Sequence, residues 1–153
     1  MRKINISFLL GLFIVLTSFN SLNPSQYRLK TIVIDAGHGG KDPGAKGKIS
    51  WEKDIALSIS LELGRILKEN MPAINIVYTR KEDKFLTLYR RSEIANKSNA
   101  DLFISIHADS FSKSSVFGAT TYLMGLSKTS ANMNVAKREN SVIFLEENYE
   151  ETY

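Results

Sequence analysis

The chain carries two histidines, His38 and His107, and each stands just past the end of an apolar run. Thr31-Ile32-Val33-Ile34 leads to His38, and Asp101-Leu102-Phe103-Ile104-Ser105-Ile106 leads to His107. Ligands of open α/β sheets bind beyond the carboxyl ends of the strands, so two parallel strands would deliver both imidazoles to one edge. Around His38 the sequence reads IDAGHGGKDPG. A histidine that only packs needs no glycines. One that must be approached closely does, because glycine admits nearby backbone or ligand and permits positive φ. A third donor is available in Glu52, in the first turn of the helix expected after the glycine loop and so facing the same edge. Two histidines and a glutamate form a common catalytic zinc set, with a fourth position left for water. Asp35 and Asp109 are alternatives, as ligands or as carboxylates that orient an imidazole. A plainer reading also stands at this level. A strand-end histidine can simply bond backbone, and a glutamate at a helix N-terminus is favoured by the macrodipole without any metal.

The elements that must position these residues follow from patterning. Thr31–Ile34 is a short, fully apolar, β-branched strand of the kind buried on both faces of an α/β sheet. The loop of residues 37–48 holds Gly37, Gly39, Gly40, Gly44 and Gly47, five of the nine glycines. From Trp51 to Asn70 the spacing of Ile55, Ile59, Leu63, Ile66 and Leu67 predicts a helix with those residues on its apolar face. Ser50 is its candidate N-cap, and Met71-Pro72 ends it. A second strand is expected over Ile74–Thr79, a second helix over Leu88–Lys97, and a third strand over Asp101–Ile106. A fourth strand is expected within Gly118–Met124, and a weaker, charge-rich helical pattern runs from Ser130 to Tyr149. Strand and helix alternate in the α/β manner. The expected architecture is a mixed, mostly parallel sheet flanked by helices.

The 153 residues leave room for one domain, and an apolar content of 43% with 24% charged residues is that of a globular chain. The formal charge of +4 is spread along the chain, without the basic stripe of a nucleic-acid binder. Met1-Arg2-Lys3 followed by the mostly apolar Ile4–Leu16 has the form of a secretory signal, too short for a comfortable membrane span. The expected organisation is a signal peptide over 1–21, a linker over 22–29 and a catalytic domain over 30–153. That implies an exported protein of the periplasm or cell envelope with no stable membrane span once the signal is removed. The chain has no cysteine, which excludes a lipidated cysteine and disulfides, so stability must come from the core and from any bound metal.

Several ordered stretches carry a family resemblance. IDAGHGGKDPGAKG with the Glu52 that follows, TRKEDKFLTLYRRSEIANKSNADLFISIHADS, and GATTYLM together resemble the zinc-dependent N-acetylmuramoyl-L-alanine amidases of the family 3 type. The similarity covers about Lys30 to Met124. It implies hydrolysis of the amide between the lactyl group of muramic acid and the first L-alanine of the peptidoglycan stem. Zn2+ is the implied cofactor, peptidoglycan the implied partner, and His38, Glu52 and His107 the implied metal ligands. Arg80, Arg91, Asn96, Asp101 and Ser105 also match family positions and read as framework, with Arg91 and Asp101 pairing or capping elements around the site.

The family also carries a glutamate near the carboxyl end of the domain that moves protons between water and the departing amine. The sequence ends at Tyr153, and the resemblance implies that this glutamate belongs beyond Tyr153, after a further helix and strand. Within the chain the candidate is Glu146, in Val142-Ile143-Phe144-Leu145-Glu146, although only 39 residues separate it from His107. Glu146 and Glu147 read more readily as solvated positions of a charged helix. The alternative function is therefore a truncated or degenerate domain that binds peptidoglycan or zinc without cleaving it. Export is directly testable: mass spectrometry of the envelope-associated protein is expected to find a mature N-terminus between about residue 18 and residue 24. Retention of Met1 would indicate an uncleaved anchor instead.

Overall fold

The computed structural model describes residues 28–108, 115–123 and 130–152. The expected signal segment, Asp109, Met124 and the terminal Tyr153 lie outside the described residues.

The β-branched run forms β1 (Thr31–Ala36), buried along almost its whole length. It is the middle strand of a three-stranded parallel sheet of order β2-β1-β3, with β2 at Asn75–Tyr78 and β3 at Leu102–Ile106. Thr31 aligns with Asn75 on one side and Ile32 with Leu102 on the other. The Asp101 carboxylate accepts from the Lys30 and Thr31 amides at 2.7 and 2.9 Å, capping the start of β1. Helix α1 (Glu52–Asn70) crosses from β1 to β2, and α2 (Leu88–Lys97) from β2 to β3. Thr87 caps α2 by accepting from the Arg90 amide. The carboxyl-terminal part comprises α3 (Ser130–Glu139), a 3-10 segment over Asn140–Leu145 and the short α4 (Tyr149–Thr152). Among the described residues no helix is long and apolar enough to cross a membrane.

Alternation along β1 sends Ile32 and Ile34 to one face and Val33 and Asp35 to the other. Ile32, Ile34 and Ile76 form the buried cluster, with Leu63 and Leu67 of α1 packed on it. The rest of the expected apolar face of α1 is not buried: Ile55, Ile59 and Ile66 are exposed. Its buried positions are instead Glu52, Lys53, Ala56, Ser60 and Gly64. Small side chains at four-residue spacing let the helix lie close to the sheet, and that approach decides the face. Two other expectations differ in detail. Trp51, not Ser50, is the N-cap of α1; its side chain makes no capping bond, and the Glu52 and Lys53 amides donate instead to Ala45 O and Pro43 O. Residues 118–123 form no strand; all are exposed, so their apolar side chains find no second surface to hold them in a ladder.

The close approach of α1 gives a paired prediction. A Cβ added at Gly64 would meet Tyr78 Oη at 1.8 Å. Gly64→Ala is therefore expected to lower unfolding free energy by about 1–3 kcal/mol. Ser60 is fully buried and its Oγ has no hydrogen-bond partner. Ser60→Ala, one turn away, is expected to be neutral or stabilising by up to about 1 kcal/mol, because an unpaired hydroxyl costs free energy in the interior. Urea unfolding of the two variants checks both signs.

Candidate metal centre

β1 and β3 end side by side, and the Gly37 amide extends their pairing by donating to Ile106 O at 3.0 Å. His38 and His107 are thereby carried to the same edge, their rings edge to face with centroids 4.8 Å apart. Glu52 reaches them from the first turn of α1. Its two oxygens accept from the Ala45 and Ala108 amides, each at 2.8 Å, so both flanking loops aim the carboxylate. The glycines around His38 now have a reason. A Cβ on Gly37 would stand 2.5 Å from the His107 ring, and one on Gly44 would stand 2.6 Å from the His38 ring and 2.8 Å from Glu52. What approaches the histidine so closely is the other two donors.

A fourth donor joins them that the sequence did not single out. Glu139, the last residue of α3, places Oε2 2.9 Å from His107 Nδ1 and 3.6 Å from His38 Nε2. His38 Nε2 lies 3.1 Å from His107 Nδ1 and 3.2 Å from Glu52 Oε1, and His107 Nδ1 lies 3.3 Å from Glu52 Oε1. All four donor atoms fall within 4.8 Å of one another. A tetrahedral ion with ligands at about 2.0–2.1 Å requires donor separations of about 3.3 Å. These separations bracket that value, so the donor set fits one small divalent cation. A signal for Glu139 did exist. A carboxylate at the carboxyl end of a helix opposes the macrodipole and needs compensation from elsewhere.

Glu146 is not part of this group. Its buried carboxylate accepts from the Leu88 amide at 2.7 Å, at the amino end of α2, where a negative charge is favoured. The carboxylate of the carboxyl-terminal part that does reach the imidazoles is that of Glu139 on α3. Asp35 does not ligate or orient an imidazole either. Its carboxylate faces inward and accepts from Thr79, Ser105 and Arg91 at 2.7, 2.8 and 2.7 Å. The carboxylate that orients an imidazole is Asp42, whose Oδ2 lies 2.8 Å from His38 Nδ1. That bond leaves His38 Nε2 to face the other donors. Asp42 is itself buried, and its second oxygen accepts from the Gly44 amide.

Electrostatics follow from crowding three carboxylates around two imidazoles. Burial acts to lower the His38 pKa, but hydrogen bonds to Asp42, Glu139 and Glu52 outweigh it and push the pKa up to about 11. Burial likewise opposes, and Glu139 and Glu52 overcome, at His107, which is raised to about 9. Burial would raise Glu52, yet His107, His38 and the two amides hold it well below the usual carboxylate range. Hydrogen bonds from His107 and His38 do the same for Glu139. Protonation of both imidazoles would offset two of the three carboxylate charges. Two cavities meet at the donors. One of about 710 Å³ lies along β3 and is lined by apolar side chains such as Leu102, Leu123, Val135 and Val142. The other, of about 320 Å³, opens beside Gly44, Arg138 and Ser141.

Comparison with known proteins gives a consistent result. A family model described as N-acetylmuramoyl-L-alanine amidase matches residues 32–149. N-acetylmuramoyl-L-alanine amidase AmiA of Escherichia coli is 42% identical over 116 residues, covering 72% of this chain and 39% of its own. A curated relative from Buchnera aphidicola is 40% identical over 118 residues, covering 74% of this chain and 48% of its own. The catalytic domain of CwlV, an amidase from Bacillus (Paenibacillus) polymyxa, superposes with a TM-score of 0.54 at 43% identity, over 57% of this chain and 50% of that one. AmiC2 of Nostoc punctiforme gives a TM-score of 0.51 at 44% identity, over 54% and 46%. The chain thus spans half or less of the length of these relatives.

Cation binding must displace the imidazolium protons, so affinity is expected to rise as pH increases from 7 toward the His107 value of about 9. Calorimetric titration with Zn2+ in buffers of different ionisation enthalpy is expected to show proton release at pH 7. Asp42→Asn, which keeps the volume but loses the charge behind His38, is expected to weaken binding by about 10–100-fold. Buffer-independent heats would contradict the first expectation, and an unchanged Kd the second.

Proposed function

Because the chain belongs to the N-acetylmuramoyl-L-alanine amidase family, we propose that it hydrolyses the amide between N-acetylmuramic acid and L-alanine in peptidoglycan, using Zn2+ and acting in the cell envelope. One observation carries the reading: His38, Glu52, His107 and Glu139 present four donor atoms at the spacing of a tetrahedral zinc site, at the carboxyl edge of a parallel sheet.

His38, Glu52 and His107 would hold the ion, each fixed by its own backing: Asp42 behind His38, the Ala45 and Ala108 amides on Glu52, and the end of β3 beneath His107. Bound zinc supplies a Lewis acid that polarises a carbonyl and lowers the pKa of coordinated water. The cavities on either side of the donors give an extended glycopeptide room to cross them. An export signal at residues 1–21 would bring the chain to that substrate.

Glu139 favours a second reading of this conformation. A catalytic zinc site keeps one position open, and Glu139, 2.9 Å from His107, would be a fourth protein donor to an ion held by His38, Glu52 and His107. Glu139 would then stand where a substrate carbonyl has to approach, and α3 would have to withdraw to admit it. The alternative role for the same carboxylate is to take the proton from water and pass it to the departing L-alanine nitrogen, the task that the family resemblance assigns to a glutamate.

The test is release of stem peptides with a new amino-terminal L-alanine from purified peptidoglycan, measured with zinc and after chelation. Zinc-dependent release is expected, with His107→Ala losing both the metal and the activity. Glu139→Ala is expected to retain zinc on three donors and to cleave faster than wild type. A drop on the order of a hundredfold with zinc retained would instead make Glu139 the proton carrier.

A further inference from the structure

His38 sits in the left-handed region with φ of 58°, a conformation uncommon for a residue with a β-carbon. Such a conformation persists only where its surroundings over-determine it. The surroundings here are two buried arginines. Arg80 donates from Nε to Ala36 O at 3.0 Å and from Nη2 to Gly37 O at 2.7 Å. Arg91 donates from Nη1 to Ala36 O and from Nη2 to His38 O, both at 2.7 Å. Three successive carbonyls, of residues 36 to 38, are therefore each pinned by a guanidinium. Only Arg91 reaches the carbonyl of His38 itself.

We infer that Arg91 is a positioning residue for the metal centre: it locks the His38 peptide in its left-handed conformation and so fixes where Nε2 points. This rests on the reading of His38 as a metal ligand. The chemistry of the side chain supports the assignment. Arg91 is 6% exposed, its charge is balanced by Asp35 at 2.7 Å, and its Nε donates to Leu86 O at 3.2 Å. One planar fork thus joins a carboxylate, two carbonyls of the histidine turn and the loop that precedes α2. A lysine could supply the charge but not that geometry, because its ammonium is a single point of donation. The turn must be held from behind, since its front is occupied by His107 packed on Gly37.

The test compares Arg91→Lys with wild type in two measurements. In the metal-free protein, the carbonyl chemical shift of His38 and the amide exchange of Gly39 report the turn directly. Zinc affinity, by competition with a chromophoric chelator, reports the consequence. Gly64→Ala serves as the control, since its clash is with Tyr78 Oη and not with a group of the turn, and it is expected to lower stability and leave zinc affinity unchanged. Arg91→Lys is expected to shift the His38 carbonyl, speed Gly39 exchange and weaken zinc binding by about 10–100-fold. Guanidinium at millimolar concentration is expected to restore part of the affinity of Arg91→Ala. Should Arg91→Lys not fold, Arg91→Gln combined with Asp35→Asn removes the fork while keeping the buried charge balanced. A folded variant with wild-type His38 shifts and zinc affinity overturns the inference. Wild-type protein that binds no zinc overturns the metal reading instead, and the His38 shifts still decide the clamp.

Discussion

The Asp35 carboxylate is the contact on which the remainder of the structure hangs. It sits on the central strand, buried, and accepts from Thr79 just past β2, from Ser105 on β3 and from Arg91 on α2. Three separate pieces of chain are drawn to one charge. A buried carboxylate is costly unless its lone pairs are filled, and here donors fill them from both neighbouring strands and a helix. Loss of Asp35 would leave Arg91 charged and unpaired in the interior, which makes the pair far more consequential when broken than when intact.

The metal centre builds on that frame by stacking constraints. Parallel pairing sets the two histidines at one edge, paired arginines fix the turn, Asp42 sets the ring, and glycines clear the space in which the donors meet. None of these devices touches a ligand-binding oxygen or nitrogen at the centre. The cluster gathers carboxylates around two imidazoles, and those carboxylates raise the pKa of both rings against the effect of burial.

Much of this was legible in the residues. Strand ends followed by histidine, a glycine-rich turn and a glutamate opening a helix placed His38, Glu52 and His107 together, because strand and helix periodicities are local. α1, α2 and the three strands fall close to their expected bounds for the same reason. What escaped was set by contact between distant segments. Ile55, Ile59 and Ile66 have the right spacing for a core face, but Ala56, Ser60 and Gly64 let the helix approach the sheet more closely, and the bulky residues turned outward. Glu139 and Glu146 stand in one charged stretch and look alike in sequence. Only the docking of α3 and the 3-10 segment sends one to the imidazoles and the other to the amino end of α2. Asp35 was noticed for its position and left as one alternative near the histidines, since nothing nearby in sequence announces the arginine that claims it.

The central place of β1 in the sheet also governs how the chain can fold. Its contacts are made across 44 residues to the β2 side and 70 to the β3 side. Among the described residues both strand pairs are parallel and are joined through crossover helices, so closure of large loops precedes any gain from pairing, and such topologies fold slowly. The three donors from the sheet edge are distributed along that same interval, with His107 last. A chain emerging from its amino end therefore exposes His38 and Glu52 long before His107 can join them, and the donor group is assembled only in the final stage of folding.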